Sequence, residues 1–342
     1  HTSVEVKCRS VVANQMFLGV NYCDSDIYTE GYVFRHGDRT PVVNFPTDLH
    51  KESEWPQGFG QLTKTGMQQL YELGQYMRQR YSNFLNSTYN RQEFYIQSTD
   101  YDRTIMSAQS CLSGLFPPTS SQIWNPELPW QPIPVHIVPK SSDRGIHNYT
   151  LPAWATKDVI DKMEKLAELS LLSLFGLYKT EEKSRLQGGV LVNTILKSIK
   201  QAANSSRERK MEVYSAHDTT IGALQIALNI FNGKLPPYAA CQFFELYQES
   251  SGQYSIEMHY RNDTSEDPYL LTLPGCTSAC PLQKFAELLS PMIAENWSKE
   301  CGKKDKMKGS VTAVLLFIFD LVLLYLLYHY GRCRRRNNYQ DL

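Results

Sequence analysis

The feature that most constrains the fold of this 342-residue chain is a short apolar run followed by RHGDRTP at residues 35–41. The apolar run, Tyr32 to Phe34, predicts a strand that delivers Arg35 and His36 at its C-terminal end. A second apolar run at 211–214 is followed by SAHD at residues 215–218 and by a predicted helix over 219–231. Because ligands in open α/β sheets bind at the carboxyl ends of the strands, both histidine-bearing turns are expected at one edge of a sheet.

The remaining segments predict helices interleaved with strands. Apolar spacing predicts helices over 65–84, 158–177 and 188–203, a strand over 94–96, and a hairpin of 243–247 with 254–258. Prolines recur between residues 116 and 139, which predicts an extended crossing segment with at most a short strand. This alternation is typical of an α/β sandwich.

The two histidine-bearing turns contain the residue types that cleavage of a phosphate ester needs. A phosphate dianion is held by permanently charged, fork-shaped donors, and RHGDRTP places its histidine between two arginines. Cleavage also needs a nucleophile, and a proton source for the leaving oxygen, so the second histidine and its neighbouring carboxylate complete the set. The glycine beside His36 lets the backbone come close to a neighbour.

These turns resemble the signature of the histidine acid phosphatases, a branch of the histidine phosphatase superfamily. The resemblance is carried by VFRHGDRTP at 33–41 and AHD at 216–218, and by WPQGFGQLT at 55–63, STDYDRT at 98–104, WQPIPVH at 130–136 and RLQGGVL at 185–191. It covers about residues 31–301. It implies an α/β sandwich like that of phosphoglycerate mutase, with a mixed central sheet flanked by helices.

The resemblance implies a nucleophile and a phosphate clamp. His36 attacks phosphorus to form a phosphohistidine, and the two cations beside it are expected to lower its pKa and keep it neutral in acid. Arg35, Arg39 and Arg103 are expected to hold the phosphoryl oxygens, where charge spreads in the transition state.

The resemblance also implies roles for the second turn. His217 donates a hydrogen bond to the same phosphoryl group, and Asp218 protonates the leaving alcohol, which predicts an acidic optimum. Taken alone, histidine and aspartate before two threonines are equally typical of a helix N-cap. The reaction is expected to need no metal and no cofactor, because the arginines carry the charge.

Composition excludes other classes of function. The 35 basic and 35 acidic side chains cancel, so nothing suggests a nucleic-acid partner. Gly58-Phe59-Gly60 lacks the continuation of a phosphate-binding loop and predicts a turn. No spacing of cysteine and histidine suggests zinc.

Glycosylation sequons and one long apolar stretch predict a type I membrane protein. Residues 311–330 are almost wholly apolar and long enough, at ~1.5 Å per residue, to cross a bilayer core of roughly 30 Å. Five sequons precede the stretch, which places the N-terminal part on the lumenal or extracellular side of the membrane. The membrane is expected to be that of the cell surface, the endosome or the lysosome. The sequons lie at Asn86, Asn148, Asn204, Asn262 and Asn296.

The chain departs from the family in two places. Only 11 positions separate His136 from His147, where family members place the cap domain and two cysteines, so the cap is expected to be largely missing. Those two cysteines are the usual disulfide partners of the residues that match Cys241 and Cys301, while Cys276 and Cys280 can still pair. Residues 1–31 do not resemble the family, and the first strand is expected to be truncated.

The expected organisation is therefore a single shortened ectodomain with an anchor. It comprises an atypical segment at 1–30, a histidine acid phosphatase ectodomain at 31–301 shortened near 140–147, a linker at 302–310, a transmembrane helix at 311–330 and a cytosolic tail at 331–342.

The resemblance implies a broad range of small substrates and a homodimer. The substrates are phosphomonoesters, including nucleoside monophosphates, phosphotyrosine and lysophosphatidate, and the dimer forms through the segment around Trp130 and His136. The alternative is a catalytically impaired isoform that lacks the cap and acts at most as a membrane-bound interaction protein. A phytase-like activity is a weaker alternative, as is a mutase-like one, because mutases lack the RHGDRTP run.

Overall fold

The computed structural model describes residues 26–42, 50–138, 165, 168–169, 171–176, 179–204 and 209–301. The predicted transmembrane helix at 311–330, its flanking linker and tail, residues 1–25 and the shortened segment near 140–147 lie outside these ranges. Within them, no helix is both long enough and apolar enough to cross a bilayer. The chain divides into two units, His1–Ile293 and Ala294–Leu342, of which the first holds the whole sheet.

Eight strands form one mixed sheet in the order β3-β2-β4-β1-β5-β6-β7, with β8 paired to β6. The pairs formed among β1 to β4 are parallel, whereas every pair that involves β5 to β8, including that of β1 with β5, is antiparallel. The strands are β1 Asp26–Arg35, β2 Phe94–Thr99, β3 His136–Val138, β4 Met211–Ala216, β5 Cys241–Gln248, β6 Tyr254–Arg261, β7 Tyr269–Leu271 and β8 Cys280–Pro281. The predicted mixed α/β fold is thereby confirmed.

Helices cover both faces of this sheet. They are α1 Lys64–Arg80, α2 Asp102–Leu115, α3 Thr180–Leu186, α4 Gly188–Asn204, α5 Asp218–Ala227, α6 Leu282–Leu289 and, in the second unit, α7 Trp297–Glu300. Residues 171–175 are also helical. Three short 3₁₀ turns lie at Glu52–Glu54, Ser120–Gln122 and Ser290–Met292. The sequence patterns did not predict α2, α3, α6 or α7.

The alternation of side chains along β1 separates two hydrophobic cores. Tyr32 and Phe34 are fully buried against α1 and α2 on one face. Val33 packs on the other face with residues of α4, α5 and α6. Because successive strand side chains point to opposite faces, one apolar tripeptide anchors both helical layers and holds the end of β1 between them.

The prediction that the first strand is truncated is wrong, because β1 has ten residues and begins at Asp26. The part of β1 before Glu30 lies outside the predicted apolar run, and there β5 pairs with it, whereas β4 pairs with β1 only from Glu30 onward. The backbone N–H of Glu30 donates to the Lys210 carbonyl at 2.9 Å, and the Thr29 hydroxyl donates to the same oxygen at 3.2 Å. Backbone pairing with β5 therefore extends the strand beyond the apolar run that predicted it.

The other predicted elements agree in type and differ mainly at their ends. The 116–139 segment contains only the three-residue strand β3, as expected, and the hairpin β5–β6 is antiparallel. Cys276 and Cys280 are joined in a disulfide, whereas Cys111, Cys241 and Cys301 carry free thiols.

Candidate active site

Three adjacent parallel strands end at the same edge of the sheet and bring the candidate residues there. Strand β1 ends at Arg35, and β4 ends one residue before His217. The third strand, β2, ends at Thr99, and the first turn of α2 after it carries Arg103. Since β2, β4 and β1 are neighbours in that order, all six predicted site residues lie at this edge.

The backbone of the 35–41 turn is pressed against the start of α1. A Cβ atom added to Gly37 would lie 2.3 Å from the carbonyl oxygen of Gly66, so no larger residue fits without movement of the backbone. The Gly37 N–H donates to Ser107 Oγ at 3.1 Å. Thr63 caps α1 and donates its hydroxyl hydrogen to Asp38 Oδ2 at 2.6 Å. These contacts fix the turn that carries the candidate nucleophile.

His36 is buried and held in one tautomer. Its Nδ1 lies 2.8 Å from the Gly37 carbonyl oxygen. A carbonyl oxygen only accepts hydrogen bonds, so Nδ1 carries the hydrogen and the neutral ring keeps its lone pair on Nε2. Burial, and next the positive charge of Arg35, hold the pKa of His36 well below its usual 6.5. This shift has the direction that the sequence predicts and favours the neutral ring, but its largest cause is burial rather than the neighbouring cations.

The guanidinium groups of Arg35 and Arg103 interact electrostatically with His36, and that of Arg39 interacts with Arg103 and His217. Arg35 donates from Nη1 to the Pro236 carbonyl at 2.7 Å, and Arg39 donates to the Thr40 carbonyl at 3.0 Å. Burial and the nearby Arg39 charge lower the pKa of Arg103. Cations that are brought this close repel one another, so the arrangement favours the binding of an anion among them.

His217 is held by a threonine that sequence analysis did not single out. Its Nε2 lies 3.0 Å from Thr99 Oγ1, which is itself 3.0 Å from Thr104 Oγ1. The rings of His36 and His217 meet edge to face, with centroids 5.5 Å apart. Burial, and next the Arg103 charge, lower the pKa of His217 to about 4.

Asp218 is the first residue of α5 and faces Arg35 across the sheet edge. Its Oδ2 lies 2.7 Å from Arg35 Nη2, and both side chains are buried. Its Oδ1 accepts the Thr219 N–H at 2.7 Å. His217 occupies the N-cap position, where its N–H donates to Thr220 Oγ1 at 3.4 Å. The helix start and the candidate site are therefore built from the same residues.

Three further residues border the site and were missed by sequence analysis, namely Thr99, Tyr101 and Tyr238. Thr99 and Tyr101 lie within the STDYDRT stretch, whose alternating polar residues carry no apolar pattern. Tyr238 follows Pro236 and Pro237 in the loop before β5, and its ring packs against His36 and Arg35. Nothing in its local sequence signals this contact, because the partners lie about 200 positions away.

One group of potential metal ligands occurs in the described part of the chain, away from this edge. Glu245, Glu257 and His259 place ligand atoms within 4.8 Å of one another. Glu245, however, accepts hydrogen bonds from Arg80, Tyr81 and Tyr247. This occupation of the carboxylate oxygens is typical of a buried ion-pair network.

The chain is similar to one family and to proteins of known activity. The model of the histidine phosphatase superfamily (branch 2) matches residues 32–166 and 148–261. Bovine prostatic acid phosphatase is 48% identical over 333 residues, covering 79% of this chain and 86% of that protein. Human lysosomal acid phosphatase is 41% identical over 366 residues, covering 86% of each.

Solved structures support the same fold. The phytase of Citrobacter braakii superposes with a TM-score of 0.56 at 15% identity, covering 80% of this chain and 99% of that one. The phytase of Hafnia alvei in complex with tartrate gives a TM-score of 0.55 at 12% identity, covering 80% and 98%. At such low identity the likeness concerns the fold alone.

Proposed function

The chain belongs to branch 2 of the histidine phosphatase superfamily, and from that premise we propose that it is an acid phosphatase that hydrolyses phosphomonoesters through a phosphohistidine at His36. The observation that carries the proposal is the tautomer of His36, whose Nδ1 donates to Gly37 and leaves the Nε2 lone pair for attack. Relatives that are 41–49% identical and bear the name acid phosphatase support the activity.

In the first step, Nε2 of His36 forms a bond to phosphorus while the bond from phosphorus to the ester oxygen breaks. The electron pair of that bond leaves with the oxygen, which takes a proton from Asp218. In the second step water attacks the phosphohistidine and gives a proton back to Asp218. His36 is then released as neutral imidazole, and orthophosphate leaves.

The arginines supply the electrostatic part of catalysis. Arg35, Arg39 and Arg103 lie where negative charge spreads over the equatorial phosphoryl oxygens. Burial, and next the charges of nearby cations, lower the pKa of both Arg103 and His217, and binding of a dianion relieves the repulsion among the cations. His217 donates a further hydrogen bond, with its orientation set by Thr99.

The ion pair between Arg35 and Asp218 connects substrate binding to proton transfer. The carboxylate lies 2.7 Å from the guanidinium. A phosphate dianion competes for the same guanidinium. Binding of substrate thereby releases the Asp218 carboxyl group from its ion pair and frees it for its proposed role as the acid.

The shortened cap is part of the proposal and bears on the choice of substrate. The alignment with the bovine protein spans 333 positions but only 79% of 342 residues, which is about 270, so roughly 60 positions of that relative lack a counterpart here. This difference supports a deletion near 140–147. An open site with few cap contacts favours a broad range of small phosphomonoesters, among them nucleoside monophosphates, phosphotyrosine and lysophosphatidate.

The impaired-isoform alternative is not favoured, because all six catalytic and phosphate-binding residues converge at the sheet edge. Phytase activity is the second enzymatic candidate, and it rests on fold likeness alone. Hydrolysis of inositol hexakisphosphate, compared with hydrolysis of a small phosphomonoester, distinguishes a phytase from an acid phosphatase. A phytase hydrolyses inositol hexakisphosphate well.

We further propose a homodimer formed through the segment around Trp130 and His136. Among the described residues β3 is the outermost strand at one edge of the sheet, and an edge strand offers its backbone for pairing with another chain. Several large apolar side chains of this segment are exposed, which is typical of an interface. They are Ile123, Trp124, Leu128, Trp130 and Ile137.

Membrane anchoring through 311–330 and a lumenal or extracellular ectodomain complete the proposal. Three of the five sequon asparagines, Asn86, Asn204 and Asn296, have exposed side chains, and Asn262 is partly exposed. Asn148 lies outside the described residues. Exposed sequons support glycosylation, and with it a secretory route to the plasma membrane, endosome or lysosome.

The test is hydrolysis of p-nitrophenyl phosphate at about pH 5, near the range where Asp and Glu titrate, by the full-length chain made in a secretory host, beside His36→Ala. Loss of about 10⁴-fold or more in kcat is expected for the variant, because it lacks the nucleophile. Brief incubation with radiolabelled substrate should trap a phosphohistidine in the parent protein only. A secreted, folded parent without activity would overturn the proposal.

A further inference from the structure

Two tyrosines outside the proposed catalytic set each contact one arginine and one histidine of the site. The Arg35 Cζ lies 4.1 Å from the centroid of the Tyr238 ring, and the Tyr238 and His36 ring centroids are 5.7 Å apart. The pair formed by Tyr101 with Arg103 and His217 repeats this arrangement. Both tyrosines are half-buried at the border of the site.

The second pair is as close as the first. Arg103 Cζ lies 4.7 Å from the centroid of the Tyr101 ring. The Tyr101 and His217 rings meet edge to face, with centroids 5.1 Å apart. The two pairs come from separate parts of the chain, since Tyr101 immediately precedes α2 and Tyr238 lies in the loop before β5.

A ring that lies against the face of a guanidinium restricts it without using its hydrogen-bond donors. All five N–H groups of an arginine point outward in the plane of the group. Stacking on one face therefore fixes the plane and leaves the N–H groups directed at an anion. Among the described residues, Arg103 Nε is buried with no hydrogen-bond partner, so ring contact is the main observed restraint on this group.

The rings also oppose the repulsion within the arginine cluster. The negative face of an aromatic ring attracts a cation, and this attraction is strongest where water is excluded. Burial and the Arg39 charge both disfavour the charged Arg103, whereas Tyr101 presents its electron-rich face to it. The ring thus helps to keep three cations together before a substrate binds.

We propose that Tyr101 and Tyr238 are positioning residues that hold Arg103 and Arg35 in the orientation that binds the phosphoryl oxygens. The aromatic face performs this role, and the phenolic hydroxyl does not. The inference rests on the proposed function, because it assigns to both arginines the binding of a phosphoryl group. It adds two residues that the family signature at 33–41 and 216–218 does not include.

The test compares phenylalanine and leucine at each position in the full-length chain. Orthophosphate binding is measured by calorimetry, and kcat/KM is measured with p-nitrophenyl phosphate. Tyr101→Leu and Tyr238→Leu should each weaken orthophosphate binding and lower kcat/KM by about tenfold, as expected for loss of a desolvated cation–π contact. Tyr101→Phe and Tyr238→Phe keep the ring and should stay within about twofold of the parent.

A double-mutant cycle distinguishes positioning from general support of the fold. Arg103→Lys removes the planar group on which Tyr101 acts, so adding Tyr101→Leu should then weaken orthophosphate binding little further. Fully multiplicative losses in the cycle would contradict the proposal, as would phenylalanine variants as weak as the leucine variants.

If a leucine variant does not fold, the same tyrosine can be replaced by pentafluorophenylalanine. This residue keeps the shape of the ring but reverses its quadrupole. Orthophosphate binding should weaken as it does with leucine, and unchanged binding would overturn the proposal. If the parent chain neither binds orthophosphate nor hydrolyses the ester, the proposed function itself fails. If the parent is active and every variant matches it, only the positioning role fails.

Discussion

At the scale of single residues, polar contacts determine the tautomer of His36 and the position of the Asp218 carboxylate. The Gly37 carbonyl determines which nitrogen of His36 is free, and Arg35 determines where the Asp218 carboxylate lies. Both side chains are buried, so water cannot substitute for either partner. The nucleophile and the candidate acid are thus oriented before any substrate arrives.

Asp218→Asn should separate substrates by their leaving groups. An amide cannot supply the proton, so hydrolysis of an alkyl phosphate should fall by about 10³-fold. The loss for p-nitrophenyl phosphate should be far smaller, because p-nitrophenolate leaves as a stable anion. The ratio of kcat/KM values for the two esters measures this difference, and an equal loss for both would show that Asp218 is not the acid.

At the scale of elements, the close approach of the 35–41 turn to α1 should make Gly37 irreplaceable. Gly37→Ala brings a Cβ within 2.3 Å of the Gly66 carbonyl and must displace the turn. Since a shift of about 1 Å at a catalytic group costs on the order of 100-fold, kcat should fall by at least that factor. Steady-state kinetics of the secreted variant checks this.

Gly31→Ala, in the strand that precedes this turn, is the matched control. A Cβ at Gly31 would meet only Ile195 Cγ2 at 3.8 Å, an ordinary contact, so activity should be unchanged. A Gly37→Ala variant as active as this control would mean that the turn does not depend on its contact with α1.

The pairing of β1 with β5 places two carboxyl groups opposite each other in the sheet. Glu30 faces Glu245 across the strands, and both are buried. Arg80, Tyr81 and Tyr247 all donate hydrogen bonds to Glu245. The Glu30 oxygens have no hydrogen-bond partner among the described residues. Burial, and next the Glu245 charge, hold the pKa of Glu30 well above its usual value.

Glu30→Gln should therefore stabilise the protein at neutral pH and not in acid. Because the folded-state pKa of Glu30 is raised, its protonated form favours folding below the unfolded pKa of about 4.5, and this stability is lost as the pH rises through the folded pKa. A difference of one between the folded and unfolded pKa changes the free energy of unfolding by about 1.4 kcal/mol, and the Tm by about 2–4 °C. Thermal unfolding at pH 4 and pH 7.5 measures the effect.

The exposed Glu72 of α1 supplies the comparison for this variant. Glu72→Gln should leave Tm unchanged at both pH values. The interpretation of the Glu30–Glu245 pair would be wrong if Glu30→Gln lowered Tm at neutral pH, since that outcome requires an ionised Glu30 with a favourable partner.

At the scale of the whole molecule, the proposed dimer can be tested at the two ends of the sheet. Ile137 in β3 is 45% exposed, and Leu270 in β7, at the opposite edge, is 46% exposed. Ile137→Arg should convert the dimer to a monomer, because it places a charge in the expected interface. Leu270→Arg carries the same change outside that interface and should leave the dimer intact.

Sedimentation velocity in mild detergent distinguishes these states by mass. Dissociation by both variants, or by neither, would place the dimer contact elsewhere. Catalytic activity should survive in the Ile137→Arg monomer, because the six proposed catalytic and phosphate-binding residues all come from one chain.

The local features of this protein could be predicted from the order of its amino acids. The family motif and the strand–turn–helix units around His36 and His217 follow from residues that are neighbours in the chain, whereas the low pKa of His36 depends first on burial in the folded protein. Such features are local because side-chain alternation and adjacent charges act over a few positions. The mixed sheet also followed, since helices interleaved with strands have few compact arrangements.

Contacts between distant residues, in contrast, became known only from the folded chain. The contacts of Tyr238 with Arg35 and of Asp218 with the same guanidinium join positions about 200 apart, and no local pattern encodes them. The ten-residue length of β1 likewise depends on backbone pairing with β5, because β4 pairs with β1 only from Glu30 onward. Hydrogen bonds between strands depend on register rather than on side-chain type, so a polar sequence becomes a central strand when its neighbours complete the sheet.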